Sequence, residues 1–326
     1  MDVLRTGRRE KWQERMNTSL VLMSKLVSMM IIAAVGLLII RIGLLDERDR
    51  RQLAKLSLYV LQPCLIIMSF QIELTPERLQ GFGLAVVFAG LVQGGFIIVT
   101  EVLERIGLID VVEELTIIYT NCGNLILPIV SMTLGPEMTF YASAFPIFFN
   151  IFFWTHGVSR MSGGGFDWRK LVFNTNIIAL LTGLLLMLLQ IPIPGVLKTS
   201  MEMFSDMLGP TSMLVIGMTM AGADYKEMLS YKKAYLVIFL RLIGFPLIAI
   251  AVLRFSGFLS RHPDFIPVLR VSFMAAAAPP AANVAQVAVI YNKHPAKAGF
   301  YNILGMLLCV LTMPLIDYIY GLVFLG

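Results

Sequence analysis

The chain has 326 residues, of which 57% are hydrophobic and 14% charged, and a mean hydropathy of +0.79 excludes a water-soluble domain of this size. The formal net charge of +5 does not point to nucleic acid, because the lysines and arginines fall in short clusters between apolar runs, as suits loops facing anionic lipid. The three cysteines, Cys64, Cys122 and Cys309, each stand in an apolar run; they read as small core residues, without the Cys/His clustering that holds a metal.

Residues 1–16 are a basic tail, and Met16 offers an alternative start. The apolar run from Leu20 to about Leu45 is longer than the roughly 7–15 residues of a signal-peptide core and no small-residue cleavage site follows, so it reads as a first transmembrane helix. About 20 apolar residues cross a bilayer core. By that measure the chain holds ten segments, near 20–45, 53–71, 81–103, 114–134, 138–160, 173–191, 197–222, 233–255, 266–290 and 298–324. The prediction is an all-α membrane protein with a five-helix unit over 17–161, a cytoplasmic loop over 162–172 that includes Gly163-Gly164-Gly165, and a second five-helix unit over 173–326.

Gly36 in segment 1 and Gly183 in segment 6 each open a Gly-Leu-Leu triplet, and Pro63 in segment 2 and Pro210 in segment 7 share the same offset of 147, the mark of an internal repeat. Pro128 in segment 4 is set against Pro279 or Pro280 in segment 9. Five is an odd number, so the second unit enters the membrane from the other side and the repeats are inverted. The loops after odd-numbered segments carry the larger share of Lys and Arg. This places them in the cytoplasm and both termini outside, in a multi-pass plasma (inner) membrane protein.

Segments 4 and 9 carry polar residues and prolines inside apolar stretches: Thr120-Asn121-Cys122-Gly123-Asn124 ahead of Pro128, and Ala278-Pro279-Pro280 ahead of Asn283 and Gln286. Proline removes an intrahelical hydrogen bond and clashes with the preceding turn, and interrupted backbone survives in a bilayer only where protein buries it or it lines a cavity. Each segment is therefore expected to split into half-helices. Half-helix N-termini suit an anionic group and carbonyl ends suit a cation. Asn121, Asn124, Asn283 and Gln286 both donate and accept, which makes them substrate-binding candidates; alternatively they only satisfy neighbouring helices. Pro63 and Pro210 are kinks, either flanking the site or of the ordinary transmembrane kind, with Thr211 and Ser212 available to bond freed carbonyls.

Ionisable residues within the membrane are functional candidates by default. Arg241 is the deepest, and Asp206 matches it in depth: the two pair between helices, or Arg241 faces the anion. Lys25, Glu101, Arg254, Arg270 and Asp317 fall near segment ends, where snorkelling suffices. His156 reads first as packing and second as a proton relay. No paired carboxylates at depth and no Ser/His/Asp arrangement support an intramembrane enzyme.

Beside this reading, the chain resembles the auxin efflux carrier family, whose bacterial members include proteins assigned to malate and malonate transport. The resemblance is carried by Leu58-Tyr-Val-Leu-Gln-Pro63-Cys-Leu-Ile, Asn121-Cys-Gly123 with Leu127-Pro128-Ile-Val, Asn174 to Gly183-Leu-Leu-Leu, Gly209-Pro210 to Ile216-Gly217, Arg241-Leu242 with Pro246, and Ala278-Pro279 to Asn283 followed by Tyr291. It implies ten helices in two inverted repeats with segments 4 and 9 crossing, as in the bile-acid/sodium symporter and sodium/proton antiporter folds. It also implies carboxylate substrates and rocking or elevator-like alternating access, with Asn121, Pro128, Pro279 and Asn283 at the crossover. Two departures stand out: Asn174-Thr175-Asn176 where Asn-Pro is usual, and Ile126 where Gly commonly precedes Leu-Pro, so that a bulkier residue would narrow the crossover.

The expected function is secondary transport of a small organic carboxylate. No cofactor is implied. The coupling ion is open between proton and sodium; the lack of an evident buried carboxylate near the crossover favours uncoupled or potential-driven movement. A homodimer fits a fold with a scaffold half. The rival class is a membrane ligand sensor or scaffold that binds without net transport.

Overall fold

The computed structural model describes residues 2–71, 76–163 and 173–324, with side chains from residue 21 onward except at 22, 76–78, 128, 136 and 225. Most of the expected 162–172 loop, with Gly164 and Gly165, lies outside the described residues. Among those described there are helices and no strands. Six helices are long and apolar enough to cross a membrane: within α1 (Asp2–Arg41), α2 (Glu47–Ser69), within α3 (Pro76–Arg105), α6 (Glu137–Ser162), α10 (Lys232–Phe255) and α14 (Pro295–Phe324). The other expected segments are also helical. Segment 4 is α4 (Val111–Ile118) and α5 (Cys122–Gly135), segment 6 is α7 (Thr175–Leu188), and segment 7 is α8 (Gly195–Met220), followed by the short α9 (Tyr225–Ser230). Segment 9 is α12 (Ile266–Ala276) and α13 (Ala282–Tyr291), preceded by the short α11 (Phe258–Arg261). The first helix begins at Asp2, so the basic tail continues α1 and is not set apart from it.

The helices present apolar side chains outward, for example Ile31, Leu91, Val252 and Leu311, and keep amides and charges inside, including Gln62, Gln93, Asn150, Asn176, Gln286, Asn302 and Arg241. Lipid is as apolar as leucine, so helices in a bilayer associate through close packing and internal hydrogen bonds. Two sets of contacts stand out, joined where α1 and α8 meet α14 and where α2 and α8 meet α13. In one, α1 lies along α8 and α2 packs on α7 and α8; in the other, α3 packs on α4, α6 and α12, and α14 packs on α10, α12 and α13.

Proline shapes three of the spans in one way. The π-helical turns Ser57–Leu61, Cys122–Ile126 and Leu240–Gly244 each end two residues before a proline, at Pro63, Pro128 and Pro246. Proline has no N–H and its ring crowds the carbonyl four residues back. The preceding turn widens, and the N–H groups of Gln62, Leu127 and Phe245 reach five residues back to Ser57, Cys122 and Leu240. Pro210, by contrast, lies inside the uninterrupted α8. The Ser212 hydroxyl donates to Leu208, its own residue four back, and not to the carbonyl that Pro210 frees.

Candidate functional site

The two broken segments cross where their backbones become extended. Tyr119 (ψ 125°) ends α4 and Ala281 (ψ 134°) precedes α13. The Asn121 N–H donates to the Pro279 carbonyl at 2.9 Å and the Ala281 N–H to the Tyr119 carbonyl at 2.9 Å, a one-rung antiparallel bridge between Thr120 and Pro280. Segment 4 therefore breaks at Tyr119–Asn121 and not at Pro128, which lies within α5 at its change from π to α geometry. The reason is that the extended pair satisfies its own donors and acceptors by crossing, whereas Pro128 needs only a wider turn. The expected match of Pro128 with Pro279 or Pro280 fails, since those two prolines sit opposite Asn121 and Thr120.

The crossing brings four helix ends together, and their charges are sorted. The C-terminal ends of α4 and α12 meet the fully buried Arg241 guanidinium, which donates to the carbonyls of Ile117 (3.3 Å), Ala276 (2.7 Å) and Ala278 (2.8 Å). Carbonyl ends carry partial negative charge, so this is where a buried cation belongs. The expected Arg241–Asp206 pair is corrected here: Arg241 is spent on carbonyls, and Asp206 lines a different cavity on α8. The N-terminal ends of α5 and α13 have no side-chain cap. They open onto a cavity of about 30 Å³ whose wall includes Gln62, Thr120, Asn121, Asn124, Asn150 and Asn283.

That wall is polar and underused. Thr120 Oγ1, Asn121 Nδ2 and Asn150 Oδ1 are buried without a hydrogen-bond partner, in interiors where such groups are nearly always satisfied. Asn283 Nδ2 donates to Gln62 Oε1 at 3.1 Å, tying the cavity to α2. Of the candidates from sequence, Asn121, Asn124 and Asn283 line the cavity together. Pro279 and Pro280 do not: the Pro280 carbonyl accepts from Asn302 Nδ2 (2.8 Å) and its ring abuts Gly305. Gln286 lies one turn along α13 and donates to Ser57 Oγ (2.7 Å) and Ser212 Oγ (2.8 Å), joining α13 to α2 and α8. Ile126 is core, outside the lining, so its bulk does not narrow the cavity. Thr120, Gln62 and Asn150 were the residues not singled out as ligands. A lone amide in Phe148-Phe149-Asn150-Ile151-Phe152 is the signal that could have found the last.

A second cavity of about 160 Å³, lined by Lys25, Ser28, Asp206 and Pro210 among others, shares Leu65, Gly123 and Asn124 with the first. Lys25 thus faces a cavity and is not merely snorkelling from a helix end. Arg270 and Asp317, also expected to snorkel, form a bidentate pair at 2.7 and 2.9 Å.

Two carboxylates on α4 were not anticipated, and both are fully buried. Asp110-Val-Val-Glu113 is a capping box, legible in sequence as an acid three residues before a second acid ahead of an apolar run. Glu113 Oε1 also accepts from Lys297 (2.7 Å), Tyr301 (2.9 Å) and Tyr231 (3.1 Å), and Oε2 pairs with Lys233 (2.8 Å). Glu114 Oε2 accepts twice from Arg160. These bonds anchor α4 to α6, α10 and α14, and so fix the first arm of the crossover.

Close backbone packing completes the site. A Cβ on Gly305 would lie 2.3 Å from Pro280 Cδ. Gly305→Ala is expected to push the Pro279–Pro280 turn off its bridge with α4, costing about 1–3 kcal/mol, and a lowered unfolding midpoint in detergent would register it. An unchanged midpoint would mean that α14 yields instead.

A profile of the membrane transport protein family matches residues 21–167 and 162–317. The chain is a multi-pass membrane transporter of this family, the auxin efflux carrier family, and not an enzyme. Among curated proteins, no match to the chain is found.

Proposed function

We propose that the protein is a secondary carrier in the plasma membrane that moves a small organic carboxylate, of the auxin, malate or malonate class, by alternating access at the crossover cavity. The observation that carries this reading is the convergence of two uncapped helix N-termini with the unpartnered Asn121 Nδ2 and Thr120 hydroxyl on one cavity. Such a site offers donors and partial positive charge without a full cation, which binds an anion and still releases it. At about 30 Å³ the cavity holds little more than a water molecule. Substrate is therefore admitted when the two sets of helices shift, with the partition at Leu65, Gly123 and Asn124 parting toward the Lys25–Asp206 cavity.

The proposed scaffold for this motion is ten helices in two inverted repeats, 17–161 and 173–326, with both termini outside. Reciprocal contacts support it. Gly36 packs against Leu214 and Gly183 against Ile67, and each partner in the second pair lies 147 positions from its counterpart in the first. The bonds Asn121 to Pro279 and Ala281 to Tyr119 are likewise reciprocal.

The test is uptake and counterflow of labelled malate, malonate and indole-3-acetate in proteoliposomes, for wild type and the double variant Asn121→Ala, Asn283→Ala. Losing hydrogen bonds to a charged group costs about 1.5–3 kcal/mol each, so flux is expected to fall by roughly tenfold or more in a variant that remains monodisperse. Flux that survives would take both amides out of the mechanism. Tight binding without any flux would favour a sensor.

A further inference from the structure

His156 sits inside a π-helical turn of α6, Phe153–Gly157, that no proline two residues on explains; such turns recur at functional sites. Its two ring nitrogens face different partners. Nδ1 is 3.0 Å from the Tyr119 hydroxyl, and that hydroxyl is 2.9 Å from the Phe152 carbonyl, which can only accept. The single phenolic proton goes to the carbonyl, so Nδ1–H donates to the Tyr119 oxygen. Nε2 is then left with a lone pair directed at two carboxylate oxygens, Glu101 Oε1 and Glu114 Oε1, each 3.6 Å away. Nε2 and Glu114 Oε1 are both buried and without a hydrogen-bond partner. Acceptor facing acceptor is repulsive, and one proton held between them resolves it.

Of the surrounding charges, the carboxylates favour that proton and Arg160 opposes it. From α3 come Glu101, Glu104 and Arg105; from α4 come Glu114 and Tyr119; α6 itself supplies Arg160. Arg160 binds Glu104 and Glu114, and Arg105 lies 3.6 Å from Glu101. Three carboxylates thus face two arginines, and an imidazolium makes the balance even. The other elements packed on α6 add little: α7 has no titratable side chain, α5 brings Cys122, α12 brings Arg270, already paired with Asp317, and α13 brings Tyr291.

We propose that Glu101, His156 and Glu114 form a proton-binding site that couples proton movement to the carrier cycle. The proton arrives from water through Glu101, whose side chain is 37% exposed, and settles on His156 Nε2 between the carboxylates, making the cluster one charge more positive. The site reaches the crossover through Tyr119, whose ring bonds His156 while its carbonyl holds the Ala281 N–H. The transport role rests on the carrier reading above; proton binding does not.

Two measurements on the full chain decide the matter. In the first, the three histidines, His156, His262 and His294, are followed by nitrogen NMR of labelled protein in nanodiscs, with His156→Gln for assignment. His156 is expected to gain its second ring proton within about pH 5–8, and Glu114→Gln to weaken its proton affinity about tenfold. A neutral His156 across about pH 5–8 overturns the proposal; should His156→Gln fail to fold, variants of the exposed His262 and His294 assign the remaining signal by elimination. In the second, an inward proton gradient is imposed on proteoliposomes taking up labelled malonate. The gradient should accelerate uptake several-fold in wild type and not in His156→Gln; acceleration that persists in the variant overturns coupling. If no carboxylate is transported while His156 titrates as stated, the carboxylate reading of the crossover falls and the proton site stands.

Discussion

Arg241→Met should unfold the crossover. The substitution keeps length and apolar bulk but removes the donors that serve Ile117, Ala276 and Ala278. Each orphaned buried carbonyl costs about 1–3 kcal/mol, and the two facing helix C-termini, no longer separated by a cation, repel one another. The unfolding midpoint in detergent is expected to drop by on the order of 10 °C, with transport lost. Arg241→Lys should lie between, because a lysine restores the charge but not the planar fork that reaches carbonyls on two helices. A Met variant as stable as wild type would mean that these carbonyls find other donors, and Arg241 would lose its role as the clamp.

The second large effect is expected at the contact of α1 with α8. A Cβ on Gly217 would stand 1.8 Å from the Ala33 carbonyl oxygen, and one on Gly36 2.3 Å from the Leu214 oxygen. The obstacle in both cases is helix backbone, which cannot rotate aside as a side chain can, so the helices must separate along their length. Gly217→Ala is expected to cost at least about 1–3 kcal/mol. Gly94→Ala, in α3 with open space around it, is the control: there alanine should be neutral or gain up to about 1 kcal/mol from helix propensity. Equal midpoints for the two variants would show that α1 and α8 tolerate separation, and the close approach would then carry no stability.

Legibility differed by residue. The positions of the apolar segments were plain, because crossing a bilayer demands long apolar runs whatever their neighbours. Asn121, Asn124 and Asn283 were legible as a group for a related reason, since amides beside a break are costly in lipid unless they serve a purpose. Glu114 was not, and His156 reads from sequence first as packing and only second as a proton relay. A carboxylate at the start of a segment looks like a solvated end until the fold lays Arg160 and α3 against it. Arg241 was recognised by depth alone and given the wrong partner, because depth orders residues along the membrane normal and says nothing about which helix stands opposite.

The sequence by itself determined that this chain is a membrane transporter with two interrupted helices, one in each half, for hydropathy and proline act locally and need no partner to be read. Tertiary structure decided the rest: that the breaks cross at Tyr119–Asn121 and Pro279–Ala281, that Arg241 caps carbonyl ends, and that Asn150 and Thr120 share a cavity with Asn121. Such pairings depend on which helices pack together, and in lipid that choice rests on close backbone contact and buried hydrogen bonds between residues on different helices, 35 to 124 positions apart for Arg241 alone, which no local pattern records.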